Sequence, residues 1–515
     1  MSTTAQARLL APLSTRAEHP ALRFEGRVWS FGELAVRADA WTRALRDAGV
    51  RRGDRVAALG GASPTIIAAM LGAYRLGAVW VPINPRYASP EISHVVSDCA
   101  ASLVLVDPAL AAKLRDGKGG AITTPAVATL PLQPRPAPSS PSPTPPLAED
   151  DDTALLIYTS GTTGPSKGVA LSYRAVVDGI SALTALWQWT PDDTLSLQLP
   201  LFHVHGLCIG VHGALLHGLT TTLASKFEPA RVVADVDEGA TIFMGVPTMY
   251  ARLLAHLDTC PQDGAVLQRA RLFTAGSAAL AASDLHAFER HTGHRIIERY
   301  GMSESLITLS NPYDGERRAG SVGRPLPGVT IRVVDETGAP VPDGDSGELH
   351  VQTPGMMTGY FGQANATEAA FDGPWLRTGD LVVRSADGYV RVLGRLSVDI
   401  IKTGGFKVAT REIEDALITH PAVREIAVFG VPDPVWGERI VAAVALHPSL
   451  GSASTLEGDA LVAALVEHCK DVIADYKRPR GALVVDALPR NAMGKVLKVA
   501  LRERVEAGYA PADSR

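Results

Sequence analysis

From Leu22 to Val106 the chain alternates helical and strand patterns. The segment FGELAVRADAWTRALRDAG spaces its apolar residues as one face of a helix, whereas RVAALG, VWVPI and SLVLVD are short β-rich runs bounded by turn residues. That order of elements builds a layered α/β domain around a largely parallel sheet. The most apolar stretch, from Ile66 to Ile83, is interrupted by Arg75 and two glycines. It therefore reads as a buried helix followed by a core strand, and stable membrane insertion is not expected.

The remainder of the 515 residues is too long for one ordinary core, so two or three packed units are expected, at roughly 100–200 residues per domain. Between Leu130 and Pro146 the run LPLQPRPAPSSPSPTPP predicts an extended, exposed loop with no helix or sheet role. A second α/β stretch reaches Ser310, after which RPLPGVTIRVVD, GELHVQT and GYVRVLG read as strands of a small β-rich subdomain. Beyond Arg395 come two strand patterns, EIAVFGVP and IVAAVALHP, then helical ALVAALVEHCKDVI, strand-like ALVVDAL and helical VLKVALRERVEAG, a compact α+β unit. The expected division is 1–395 for a large, multi-layer α/β region and 396–515 for a small C-terminal domain.

A net charge of -5 is small for this length, so nucleic acid is not an expected partner. The four cysteines, Cys99, Cys208, Cys260 and Cys469, show no metal-ligand or redox spacing, which fits free thiols in a reducing compartment. The N-terminal residues lack the apolar core of a signal peptide, and cytoplasm is the default expectation.

The strongest local signal is YTSGTTGPSKGVAL, residues 158–171, directly after a strand-like LLIY. Thr159, Ser160, Thr162 and Thr163 supply hydroxyl donors, Gly161 and Gly164 let backbone N–H groups approach an anion closely, and Lys167 adds charge: a phosphate cradle. It is not the P-loop of GTPases, which needs four residues between its glycines and a Gly-Lys-Ser/Thr ending.

This string closely resembles the signature of the adenylate-forming (AMP-binding) enzymes, the superfamily of acyl-CoA synthetases, firefly luciferase and peptide-synthetase adenylation domains. LPLFHVHG (199–206), GVPTMY (245–250), AGSAAL (275–280), ERYGMSES (298–305), WLRTGD (375–380), GYVRVLGR (388–395), IIKTGGFKV (400–408) and PRNAMGKVLK (489–498) follow in the family's order. The resemblance implies an ATP- and Mg2+-dependent ligase that forms an acyl-adenylate and passes the acyl group to coenzyme A. It also implies a small C-terminal domain that is mobile and closes a cleft. Within it, Gly276, Ser277 and Ala278 lie along the adenine, with Tyr300, Gly301 and Met302 beside the nucleotide. Asp380 holds the ribose hydroxyls with Arg395 as its partner. Glu304, with Thr159, resembles the magnesium ligands, and Ser303 stands where the family usually has threonine. Lys495 is the catalytic lysine of adenylation, Gly404 and Gly405 make room for the pantetheine arm, and the hinge falls in Leu396–Val398, where this chain is one residue longer than many relatives.

A narrower resemblance is to the malonyl-CoA synthetases, and Arg299 carries its physical case. A second carboxylate on the acid stays ionised at neutral pH, and burying it calls for a cationic fork in the acyl pocket. Ser277, His203 and His205 are candidates to line the same pocket. The competing reading pairs Arg299 with Glu298 or Asp314 as a brace. After Glu304 the chain departs from those synthetases with SLITLS, which leaves a substituted malonate or another short acid open. Alternatives are a ligase for short, medium-chain or aromatic monocarboxylic acids, or an enzyme that loads a separate acyl carrier protein.

Overall fold

The computed structural model describes residues 4–114, 128–131, 133, 148–159, 165–404, 406–447, 458–491 and 494–508. Ser160, Gly161, Thr162, Thr163 and Gly164 of the phosphate loop, Gly405, and most of the proline-rich run lie outside the described residues. The chain divides into two compact units, one made of residues up to Ile331 with Val351–Leu376, the other of Arg332–His350 with Arg377 onward. The second unit thus takes in part of the β-rich stretch as well as everything beyond Arg395. Among the described residues no helix is long and apolar enough to cross a membrane.

The first unit is built on two sheets. In the seven-stranded sheet, Arg55–Leu59 lies parallel between Val79–Ile83 and Leu103–Val106. The helix Pro64–Arg75 and the strand Val79–Ile83 are the buried pair expected from the apolar stretch. Leu59, Val81, Ile83, Val104 and Leu156 share one core. Leu130 and Pro131, read above as loop, instead end the strand Ala128–Pro131, parallel to Leu103–Val106. This strand is the sheet's edge, where a residue without an N–H breaks no ladder, so the proline that argued against a strand is compatible with one.

In the nine-stranded sheet the strands Thr194–Leu197, Ile242–Gly245, Leu272–Ala275 and Ile297–Met302 lie side by side and parallel. Their carboxyl ends therefore open on one edge, the place where open α/β sheets bind ligands. The helix Phe31–Asp47 starts at a capping box, in which Ser30 Oγ accepts from the Glu33 N–H at 3.1 Å and the Glu33 carboxylate accepts from the Ser30 N–H at 3.0 Å.

The second unit contains a long antiparallel pair, Val423–Asp433 with Gly437–Leu446, and Gly481–Val484 lies parallel to the latter. One face packs on Ile413, Leu461 and Leu465, the other on Leu488 and Leu501. The strands and helices expected beyond Arg395 are all present, with Gly458–Cys469 and Lys498–Gly508 as the two longer helices.

The helices Phe31–Asp47 and Pro64–Arg75 pack closely at Gly72, where a Cβ would stand 2.6 Å from Trp41 Cβ and 2.9 Å from the Thr42 N. Gly72→Ala is expected to force the helices apart and lower stability by about 1–3 kcal/mol, read as a lower urea midpoint with unchanged slope.

Candidate active site

Two loops at the carboxyl edge of the parallel strands meet a neighbouring strand at Arg299. Thr194–Leu197 leads to His203 and to a π-helical run, His205–His212; Leu272–Ala275 leads directly to Gly276 and Ser277; and Ile297–Met302 carries Arg299 itself. The guanidinium lies against Gly276, where a Cβ would come within 2.4 Å of its Cζ. Only glycine leaves room for it there.

Arg299 is 5% exposed, and its Nε and Nη2 have no hydrogen-bond partner among the described residues. Burial pushes its pKa down to about 9, which leaves it charged at neutral pH. The expected alternative partners are engaged elsewhere: Asp314 accepts from Gln188 Nε2 at 2.6 Å, and Glu298 accepts from the Gly320 N–H at 3.1 Å.

The two histidines are neutral companions of this charge. His203 is pushed down to about 4 by burial and by Arg299, and His205 falls well below its ordinary value for the same two reasons. The His205 N–H donates to His203 Nδ1 at 3.2 Å, Ser277 Oγ lies 3.5 Å from His205 Nδ1, and His205 Nε2 has no partner among the described residues. Ser277 adopts φ +69°, a conformation unfavourable for a residue with a side chain, and such strain concentrates at functional sites. Arg299 and His205 are buried and His203 and Ser277 half-buried, and together they make a positively charged site with unsatisfied donors among the described residues, which fits an anion.

Past Arg299 the strand forms a hairpin with Leu306–Ser310, bulged at Tyr300/Gly301, and a Cβ on Gly301 would meet the Leu306 carbonyl at 2.1 Å. Ser303 and Glu304 sit buried in its turn. Glu304 Oε1 accepts from the Tyr360 hydroxyl at 3.0 Å, and Lys167 Nζ lies 5.0 Å from the centre of the Tyr360 ring. Lys167 is paired across the phosphate-loop neck with Thr159. So the residues expected to hold phosphate and metal are joined, and the link is Tyr360, which sequence reasoning passed over because an aromatic in TGYFG reads as packing.

In the second unit Asp380 and Arg395 face each other across paired strands, with Nε to Oδ1 at 3.1 Å and Nη2 to Oδ2 at 3.2 Å, a bidentate fork. Gly379 takes φ +70° and donates to Glu348 Oε1, which fixes the turn that presents Asp380. Gly404, at φ +56°, sits 3.3 Å from the Trp436 ring as measured from a notional Cβ. Lys495 is exposed in a turn closed by two bonds to Asn491: the Lys495 N–H reaches Asn491 Oδ1 at 3.0 Å, and the Asn491 N–H reaches the Lys495 carbonyl at 2.9 Å.

Residues 11–361 match the AMP-binding enzyme family and residues 412–495 its C-terminal domain. The chain belongs to the AMP-binding enzymes. It is 33% identical over 542 residues to a malonate–CoA ligase of Arabidopsis thaliana, covering 96% of this chain and 87% of that one. The ATP-bound MatB of Rhodopseudomonas palustris superposes with a TM-score of 0.88 at 35% identity, covering 99% and 100% of the two chains. A malonyl-CoA ligase in a ternary product complex with methylmalonyl-CoA and AMP gives a TM-score of 0.68 at 39% identity, covering 94% and 99%. This AMP-binding enzyme is accordingly of the AMP-forming CoA ligase type.

One buried cluster of this AMP-binding enzyme carried no signal in the sequence. Lys498 looked like an ordinary helical lysine, yet its Nζ meets Asp399 Oδ1 at 2.7 Å, Glu414 Oε1 at 2.8 Å and Thr410 Oγ1 at 2.6 Å. Asp399 in turn accepts from the Arg395 N–H at 3.0 Å, so the cluster holds the residues just after Arg395. Burial pushes the Asp399 carboxyl up, but the charge and hydrogen bond of Lys498 outweigh it and leave the pKa below 3.8. Burial likewise pushes Lys498 down, and Glu414 and Asp399 bring it above 10.5. The cluster's stabilisation is thus present between those two values, lost on acidification through the depressed Asp399 pKa and lost on alkalinisation through the raised Lys498 pKa. Lys498→Met is expected to cost about 3–5 kcal/mol at neutral pH, because two largely buried carboxylates lose their counter-charge, and the gap from the parent should shrink below pH 3.8. Urea titrations of both proteins across pH measure it.

Proposed function

We propose that the enzyme joins malonate or methylmalonate to coenzyme A at the expense of ATP, giving the acyl-CoA, AMP and pyrophosphate through an acyl-adenylate. The observation that carries the choice of acid is the buried Arg299 guanidinium, which has no ion-pair partner among the described residues and is flanked by two neutral imidazoles. A monocarboxylic acid would leave that cation desolvated and unpaired. A dicarboxylate supplies two oxygens to its fork and keeps its other carboxylate for reaction. The malonate ligases among its relatives support the same choice.

In this reading a carboxylate oxygen attacks the α-phosphorus of ATP and pyrophosphate leaves; the thiol of coenzyme A then attacks the acyl carbon and AMP leaves. Arg299, with Ser277, His203 and His205, holds the distal carboxylate, and the neutral histidines add no charge that would compete with it. Lys495 offsets the negative charge that builds as two anions meet. Gly276, Ala278, Tyr300, Gly301, Met302 and Ser303 border the nucleotide, Asp380 and Arg395 hold its ribose, and Ser160–Gly164 with Lys167 take its phosphates. Glu304 and Thr159 would hold a magnesium ion, whose charge would offset that of the phosphate oxygens; hard oxygen donors suit it. Gly404 and Gly405 border the pantetheine arm, and the hinge lies in Leu396–Val398. The four cysteines, all free and three of them buried, support a reducing compartment such as the cytoplasm.

Thioester formation with ATP, magnesium and coenzyme A, followed by mass spectrometry across malonate, methylmalonate, ethylmalonate, acetate, butyrate, octanoate, 4-coumarate and benzoate, tests the proposal. The dicarboxylates are expected to dominate; a preference for monocarboxylates would overturn the acid, and no thioester with any acid would overturn the acceptor. Arg299→Ala is expected to lower kcat/KM for malonate by at least about a hundredfold, since a buried charge loses its partner, and to affect acetate far less. Lys495→Ala should abolish pyrophosphate release while a supplied acyl-adenylate is still converted to thioester, measured in separate half-reaction assays.

A further inference from the structure

At the far end of the helix Pro247–Thr259, His256, Cys260 and Asp263 bring a ring nitrogen, a sulfur and a carboxylate oxygen within 4.8 Å of one another. Among the described residues this is the one such trio of three different donor types. His256 and Cys260 stand four residues apart, so they share a side of the helix end, and the Cys260 N–H closes the last turn on the His256 carbonyl at 2.8 Å. The chain then turns back at once: the Asp263 N–H donates to the Cys260 carbonyl and the Gly264 N–H to the Pro261 carbonyl, both at 3.1 Å. Gly264 sits hard against the backbone of His291, where a Cβ would meet the carbonyl oxygen at 2.3 Å. Asp263 is therefore held in place, and its Oδ2 lies 2.7 Å from His256 Nε2.

We propose that these three residues form a zinc site outside the catalytic centre, with the fourth position of a tetrahedron open to solvent. The donor set decides the metal. A thiolate with an imidazole is too soft for magnesium or calcium, while nitrogen, sulfur and one carboxylate oxygen match zinc. Tetrahedral zinc sets its donors roughly 3.3–3.7 Å apart, so the trio closes on the ion by small rotamer changes. The side chains of His256 and Asp263 are 20% and 22% exposed, so water and an ion reach the trio while the walls are formed. Cys260 is also the only one of the four cysteines that is not buried. Binding releases the thiol proton to solvent, and the imidazole exchanges its hydrogen bond with Asp263 for a bond to the metal.

The helix so clamped reaches at its other end toward the acid pocket, where the Tyr250 hydroxyl donates to the Thr274 carbonyl at 2.9 Å on the strand that runs into Gly276. Bound metal is thus expected to stabilise a support of the pocket.

The test uses full-length protein without a histidine tag, stripped with chelator and titrated with Co2+ as the spectroscopic probe, then with Zn2+. One equivalent of Co2+ should give a thiolate-to-cobalt charge-transfer band that Zn2+ displaces, and Zn2+ should raise Tm. Cys260→Ser, a near-isosteric change at a partly exposed position, should abolish the band, and His256→Ala should weaken Zn2+ binding by about tenfold or more. Cobalt binding without the thiolate band, or unchanged Zn2+ affinity in both variants, would overturn the site and reduce the His256–Asp263 contact to a simple hydrogen-bonded pair. Circular dichroism of each variant confirms that it is folded before titration.

Discussion

A cation buried without its counter-ion is the constraint around which the first unit is arranged. Taking a guanidinium out of water costs several kcal/mol even after the protein relaxes, and among the described residues no ion pair to Arg299 returns that cost. The surroundings keep the charge usable instead. Gly276 withholds a side chain, and His203 and His205 are held neutral. Each of these features is destabilising or neutral when considered by itself. Together they leave strong donors with fixed directions, which is what selective binding of a small anion requires.

The second unit handles charge in the opposite manner. Lys498, Asp399 and Glu414 are largely buried as a mutually paired group, and Asp380 and Arg395 are joined in a two-bond fork. A closed group of this kind fixes geometry, because breaking any one contact strands the others. It brackets the few residues from Arg395 to Asp399, whose two ends are fixed by named contacts.

Much of this was legible in the residues alone. Periodicity placed the buried helix and strand between Pro64 and Ile83, because an arginine and two glycines rule out a span and leave a core. Arg299, Glu304, Asp380 and Arg395 stood out through the resemblance to the adenylate-forming enzymes, because taken singly a buried arginine or a turn carboxylate carries no chemical pattern. Tyr360 and Lys498 were missed for the same physical reason: their partners, Glu304 and Asp399, are far away in sequence, and a lone aromatic or lysine carries no pattern. Pro131 misled because proline signals loops on average, and only the sheet's topology reveals that its strand lies at an edge.

The contact between Gly276 and Arg299 also has a bearing on how such an enzyme changes over generations. A side chain at Gly276 collides with the guanidinium as long as Arg299 remains, whereas removal of Arg299 opens the space that such a side chain would fill. The two positions can therefore diverge in one order only. A lineage moving from a charged acid to an apolar one loses the arginine first and fills the vacated pocket afterwards, and the return path must empty the pocket before the charge can be restored.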